Sequence, residues 1–333
     1  MRKVLRNNFP LRLVALILVI VLGLGLLLTS FLQERRVTDV DPVGASQPIA
    51  GAASRGIGWL TANLDDFTAG WVFAIAQQLY RTVADEALAQ QFLQIARQTD
   101  TRRKTVVLPM DFSGDEYLTW QAVGAPVKQL LRWRCEGRPE EEATRKLAAH
   151  IRDNGSSILG RLTLTRRIVA AFYLKELGID CCNFYEDAIL ELRSSLDHPP
   201  PEGTTDEHSH LYALTHIAFT ASGYFDHYLN RDQFEAEANA LMQALSRYNN
   251  KDLSNLEIDL TAEMLIAQKL LRIPSQGNIE NLRLRLARLQ NPDGSWSSFP
   301  PRIGRVHTTL MCTLALIQFA PSFRDGGNIE CVP

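Results

Sequence analysis

Six long apolar segments recur along the chain at nearly equal intervals, and that rhythm limits the fold more than any single residue does. They begin near Asp66, Asp115, Leu162, His210, Asp259 and His307, at spacings of 49, 47, 48, 49 and 48 residues. Inside each segment apolar residues return at three and four positions and strict alternation is missing, so the segments read as helices. A more amphipathic helix precedes each one, around 53–63, 83–98, 139–152, 184–196, 233–248 and 279–290. A period this long, built of helix pairs, implies a repeat architecture. Helices that are apolar most of the way round belong to a buried inner layer, and the amphipathic ones to an outer layer. The expected fold is therefore all-α, an (α/α)6 toroid of six helical hairpins over residues 51–320. An open solenoid of helix pairs is the other solution. The lack of a polar capping repeat at either end favours closure.

Ahead of the repeats, Leu13–Leu32 is a run of 20 residues without a charge. As a helix it would span roughly the 30 Å of a bilayer core. Gln33-Glu34-Arg35-Arg36 follows where a signal-peptidase site would lie, so the segment reads as an uncleaved signal-anchor. Arg2, Lys3, Arg6 and Arg12 before it outnumber Arg35 and Arg36 after it, which puts the N-terminus in the cytoplasm and the body outside. The expected order is a cytoplasmic N-terminus over 1–12, a single-pass transmembrane anchor over 13–32, a tether over 33–50, the toroid, and a tail over 321–333. The membrane is the partner that this order implies. Nucleic acid is not one, because 35 Lys and Arg against 37 Asp and Glu leave no basic field. Five cysteines without a CxxC exclude a zinc-finger framework. Cys135 and Cys181 fall at the far ends of neighbouring inner helices. In an oxidising compartment a disulfide from Cys135 to Cys181 or Cys182 is expected, with Cys312 a buried small hydrophobe.

His210, Asp259 and His307 sit one repeat apart at the starts of three consecutive inner helices, and in a ring those starts converge on one mouth of the hollow. Glu263 lies four residues after Asp259, on the same helix face. Two imidazoles and one or two carboxylates suit zinc, which takes nitrogen and oxygen ligands in four-coordinate geometry. Without a metal the same groups form an acid–base set whose pKa values burial would move apart. The catalytic candidates are Asp259, Glu263 and His307. The candidate ligands are His210, His307, Asp259 and Glu263, with His216 in place of His210 if the register shifts by a turn. The cofactor expectation is zinc or none. Asp259 also reads as a helix cap, since Asp66 and Asp115 occupy equivalent starts with no His beside them. Tyr212, Phe219, Tyr224 and Phe225 read as core packing, or as an aromatic wall for a cationic intermediate.

Three motifs carry a family resemblance. Gln290-Asn291-Pro292-Asp293-Gly294-Ser295-Trp296 is similar to the QxxDGSW signature of the terpenoid cyclase and protein prenyltransferase toroids. That resemblance implies that Gln290 and Trp296 tie an outer helix end to its neighbour, that Asp293 sits in the turn, and that Gly294 permits it. Val306-His307-Thr308-Thr309 resembles the point where prenyltransferase β-subunits place a zinc-binding His before a Thr. Glu257-Ile258-Asp259-Leu260-Thr261-Ala262 resembles the DxDDTA acid motif of squalene–hopene-type cyclases, with Asp259 at the proton-donor position. Leu260 stands where that motif has a second Asp, and the Asp-x-Cys ligand pair of the prenyltransferases is missing near Asp259. The resemblance implies the fold more firmly than the reaction. Two functions stay open: an enzyme acting on an apolar or peptide substrate in the central cavity, and a non-catalytic scaffold docking a peptide, glycan or partner protein.

Overall fold

The computed structural model describes residues 46–64, 69–100, 116–135, 137–179, 182–296 and 302–320. Every described residue belongs to one compact unit, Ala45–Pro333. The described residues form twelve α-helices: α1 (Ser46–Ala62), α2 (Ala69–Thr82), α3 (Glu86–Asp100), α4 (Glu116–Cys135), α5 (Glu141–Leu159), α6 (Leu164–Glu176), α7 (Phe184–Leu196), α8 (Thr205–Ala221), α9 (Glu235–Tyr248), α10 (Asn255–Leu270), α11 (Gly277–Arg288) and α12 (Arg302–Leu316). A 3-10 turn, Arg231–Phe234, leads into α9. Among the described residues there is no strand, only an isolated bridge between Val83 and Phe319.

The protein is thus all-helical. The helices read from the sequence as the apolar set are the even-numbered ones. Their consecutive members α4, α6, α8, α10 and α12 pack side by side, while α7, α9, α11 and α1 pack against one another as an outer row. In α10 every residue from Glu257 to Gln268 is buried, so this helix is covered on all faces. Each large apolar side chain removed from water there is worth ~1.5–3 kcal/mol, which overrides the cost of including polar residues. The repeat is written into the hydrogen bonds as well. Tyr212 to Asp259, Thr215 to Glu263, His307 to Asp259 and Lys269 to Ile317 span 47, 48, 48 and 48 residues.

The two ends of the helical array meet. Helix α12 packs on α1 and α2, and α11 packs on α1. Gln290 Nε2 donates to the Ala52 carbonyl at 2.9 Å, and Arg55 Nε donates to Gln290 Oε1 at 2.9 Å. Gly294 makes this turn in the left-handed region, at φ +92°, with the Arg55 carbonyl 2.6 Å from where a Cβ would stand. Both facts call for glycine. Trp296, fully buried, donates from Nε1 to the Leu286 carbonyl at 2.7 Å. Asp293 holds this turn from the other side by accepting from the Ser295 hydroxyl at 2.7 Å and pairing with Arg305.

One expectation from the sequence changes here, and another falls outside the described residues. The anchor over 13–32 lies outside the described residues, and among those described no helix is long and apolar enough to cross a membrane. The longest of the apolar set, α4, carries Lys128, Arg132 and Arg134 along its length. The single-pass membrane localisation is therefore withdrawn. The disulfide expectation also falls outside: Cys181 and the side chain of Cys135 are not among the described residues, and Cys182 is half-buried near the start of α7. Cys312 is a buried thiol inside α12, as expected.

Candidate active site

The starts of α8 and α10 decide which polar residues meet. Both are fixed by capping residues upstream of the histidine and aspartate that the sequence pointed to. The Thr204 hydroxyl accepts from Glu207 N at 3.1 Å and caps α8. Ser254 and Glu257 form a capping box on α10, with Ser254 N donating to Glu257 Oε2 at 2.7 Å. Asp259 is therefore not a cap; it lies one turn in, with Glu263 four residues further on the same face. His307 likewise lies one turn into α12.

Asp259, Glu263 and His307 come together, each offering a ligand-type atom within 4.8 Å of the others. His307 Nδ1 donates to Asp259 Oδ1 at 3.0 Å, and its Nε2 stands 3.8 Å from Glu263 Oε1. The other Asp259 oxygen accepts from the Tyr212 hydroxyl at 2.9 Å. Glu263 Oε2 accepts from the Thr215 hydroxyl at 2.7 Å. His216 closes the group from α8: its Nδ1 donates to the Tyr212 carbonyl at 2.9 Å and lies 3.5 Å from Glu263 Oε2. Because a carbonyl only accepts, His216 carries its proton on Nδ1, which leaves the Nε2 lone pair for a ligand. Glu263 is the most enclosed member, its side chain 1% exposed, whereas His307 and His216 keep 35% and 20%.

His210 does not join them. Because α8 begins at Thr205, residue 210 turns toward α7 and α9: Nδ1 pairs with the Ser195 hydroxyl at 3.2 Å, beside Pro199, Pro200 and Gln243. The register shift that would substitute His216 is the arrangement found. Tyr212 and Thr215 enter the site, although Tyr212 reads from its sequence context only as core packing or as part of a cation-stabilising wall. One signal pointed to it: Tyr212 lies 47 residues before Asp259, one repeat away.

The groups pull one another's proton affinities apart. Burial pushes the Glu263 carboxyl up, the charge of Asp259 adds to this, and it reaches about 8 despite His307 and Thr215. Burial also works against the Asp259 anion. The charge and hydrogen bond of His307, helped by Thr308 and Tyr212, overcome that and hold Asp259 below the usual carboxylate range. Burial disfavours the His307 cation, yet Asp259 and Glu263 lift it to about 9. His216, without a carboxylate bonded to its proton, is lowered by burial to about 4. At neutral pH the site holds an Asp259–His307 ion pair, a protonated Glu263 and a neutral His216.

The donor set also fits a metal. Two carboxylates and an imidazole are hard and borderline donors of the kind zinc accepts. His307, whose Nδ1 is already oriented by a carboxylate, has the arrangement seen for metal-bound histidines. Glu263, His307 and Asp259 are the residues that would hold the ion.

The comparisons with known proteins give a family and no relative of known activity. No curated protein and no solved structure matches the chain. One family model, described as a domain of unknown function (DUF6895), matches residues 53–305, which takes in all the site residues except His307 and Thr308. That match spans most of the sequence, and the chain belongs to the DUF6895 family.

Proposed function

We propose that the protein is an acid–base enzyme with Glu263 as its proton donor, built in the central hollow of a six-hairpin α/α toroid, and acting on an apolar or peptide substrate. Closure into a ring is supported by the packing of α12 and α11 on α1 and by the Gln290 bonds to Ala52 and Arg55. The turn at Gln290–Trp296 supports kinship with the terpenoid cyclase and prenyltransferase toroids. The observation that carries the reaction class is Glu263: a carboxyl 1% exposed, held protonated to about 8, beside an imidazolium at 3.8 Å.

A carboxylic acid kept neutral at pH 7 can deliver a proton that an ordinary glutamate has already lost. As Glu263 gives up its proton, the new carboxylate meets the His307 cation and the Thr215 hydroxyl, both already in place. Preorganised partners of this kind stabilise developing charge without further rearrangement. Asp259 keeps His307 charged and oriented, and Tyr212 holds Asp259. His216, neutral and with Nε2 unprotonated, stands beside Glu263 through its Nδ1 at 3.5 Å.

A zinc-assisted variant has its own support in the mutual approach of the Asp259, Glu263 and His307 ligand atoms. Bound there, zinc would activate water or a thiol. Incubating a small-molecule and peptide extract with wild type and with Glu263→Gln, then comparing products by mass spectrometry, tests the proposal. Wild type should convert at least one compound, at a rate ~10²–10⁴-fold above the variant. Identical product profiles would sink the acid role. A parallel calorimetric titration with zinc separates the two variants, because metal must displace the His307 proton and so releases acid.

A further inference from the structure

Four residues from the first four apolar helices or their ends, none of them placed in the acid–base group above, gather around the Tyr173–Tyr224 ring pair. Arg81, in the last turn of α2, pairs through Nη1 with Asp226 Oδ1 at 2.9 Å and the Tyr224 carbonyl at 3.2 Å. Its side chain is 8% exposed, and its buried Nε–H has no acceptor among the described residues. Lys128 of α4 lies over the Tyr173 ring of α6, 4.8 Å from its centroid, and has no carboxylate partner among the described residues. Tyr173 stacks on Tyr224 with centroids 5.7 Å apart and planes 5° from parallel. Tyr224 is delivered there by a costly backbone: Gly223, Tyr224 and Phe225 run consecutively at φ 61°, 51° and 76°. Aromatic residues in the left-handed region persist only where surrounding contacts hold them.

Among the described residues Asp226, with its side chain 55% exposed, is the one carboxylate paired with Arg81, and Lys128 has none. A guanidinium N–H left without an acceptor and an ammonium resting on a phenol ring are the donors that oxyanion recognition uses. We propose that Arg81 and Lys128, with the Tyr173 and Tyr224 phenols, form an anion subsite that holds a carboxylate or phosphate group of the ligand. The subsite deepens the reading of the protein as an enzyme by giving its substrate an anionic end. It rests on that reading for its use, but its binding can be measured without turnover.

The test uses the full chain, titrated calorimetrically with sodium phosphate and sodium acetate at constant ionic strength held with chloride. Wild type should bind at least one of them saturably, and the tighter of the two identifies the group as phosphate or carboxylate. Lys128→Met should weaken that binding about tenfold or more, as expected for loss of a charge-assisted contact. Tyr173→Phe, which keeps the ring and removes the hydroxyl, should weaken it severalfold and covers the case in which the lysine variant fails to fold. Lys146→Met, on an exposed ion pair with Glu142, should bind as wild type does. Glu263→Gln should also bind normally, so failure of the acid reading and failure of the subsite show up separately. Absence of saturable binding to either salt, or equal binding by wild type and both subsite variants, would overturn the proposal.

Discussion

Replacing Glu263 with Gln is expected to make the protein more stable than wild type at pH 8, by about 3 kcal/mol relative to their difference at pH 5.5. The folded-state pKa of Glu263 is raised to about 8, while an unfolded glutamate titrates near its ordinary value of ~4.3. Below both values each state is protonated, and this residue contributes no pH dependence. Between them the unfolded chain has released a proton that the native state still binds. Stability then falls by ~1.4 kcal/mol per pH unit until Glu263 ionises. Glutamine has nearly the same shape, keeps an oxygen for the Thr215 hydroxyl, and has no proton to lose. His307, raised to about 9, adds a slope of the same sign between its unfolded value and 9, but in both proteins. Urea unfolding at the two pH values measures the difference. Parallel losses in wild type and variant would mean that Glu263 ionises normally. A residue that destabilises its own fold at working pH is what a site selected for chemistry contains.

Trp296→Ala should cost about 3–5 kcal/mol of stability and should open the junction between the first helix and the last two. The indole is among the largest fully buried side chains, and its Nε1–H satisfies the carbonyl of Leu286 at the end of α11. Truncation leaves a cavity and an orphaned carbonyl together, two penalties that add. The surrounding contacts explain why the cavity cannot collapse. A Cβ at Gly56 would stand 2.8 Å from the Trp296 ring and 2.3 Å from the Thr313 hydroxyl, so α1 and α12 are already in near-maximal approach. Hydrogen exchange would locate the damage. Protection should drop first in α1, α11 and α12, with α6 and α8 less affected. Uniform loss across all helices would argue that the junction is not a separate closure element.

Much of the helix order was legible because an inner helix must be apolar nearly all round and an outer one on a single stripe, and that contrast survives in any window of the sequence. The outer helix anticipated at 184–196 is α7, Phe184–Leu196, to the residue. Asp259, Glu263 and His307 were legible for a similar reason: i,i+4 spacing and a one-repeat offset are both properties of the chain alone. His210 was misplaced by an unread local cue. Thr204-x-x-Glu207 and Ser254-x-x-Glu257 are capping signatures, and they set the starts of α8 and α10 five and four residues ahead of His210 and Asp259. Reading them would have turned His210 outward and His216 inward. Thr215 carried no signal, since a threonine in an apolar helix acquires meaning only from the carboxylate across the interface. Arg81 and Lys128 were further out of reach. The contact of Arg81 with Tyr224 joins residues 143 apart, too far along the chain for a local pattern to announce it.

The central claim is electrostatic: a carboxylate locks one imidazole in its charged form next to a second carboxyl that stays protonated. Titrating the histidine ring signals by NMR in wild type and in Asp259→Asn reads it directly. The expected result is one histidine, His307, titrating near 9 and another, His216, near 4. In the Asp259→Asn protein the His307 signal should move down by more than a unit while His216 barely shifts. A wild-type His307 that titrates at the ordinary value of ~6.5, unmoved by the loss of Asp259, would contradict the account.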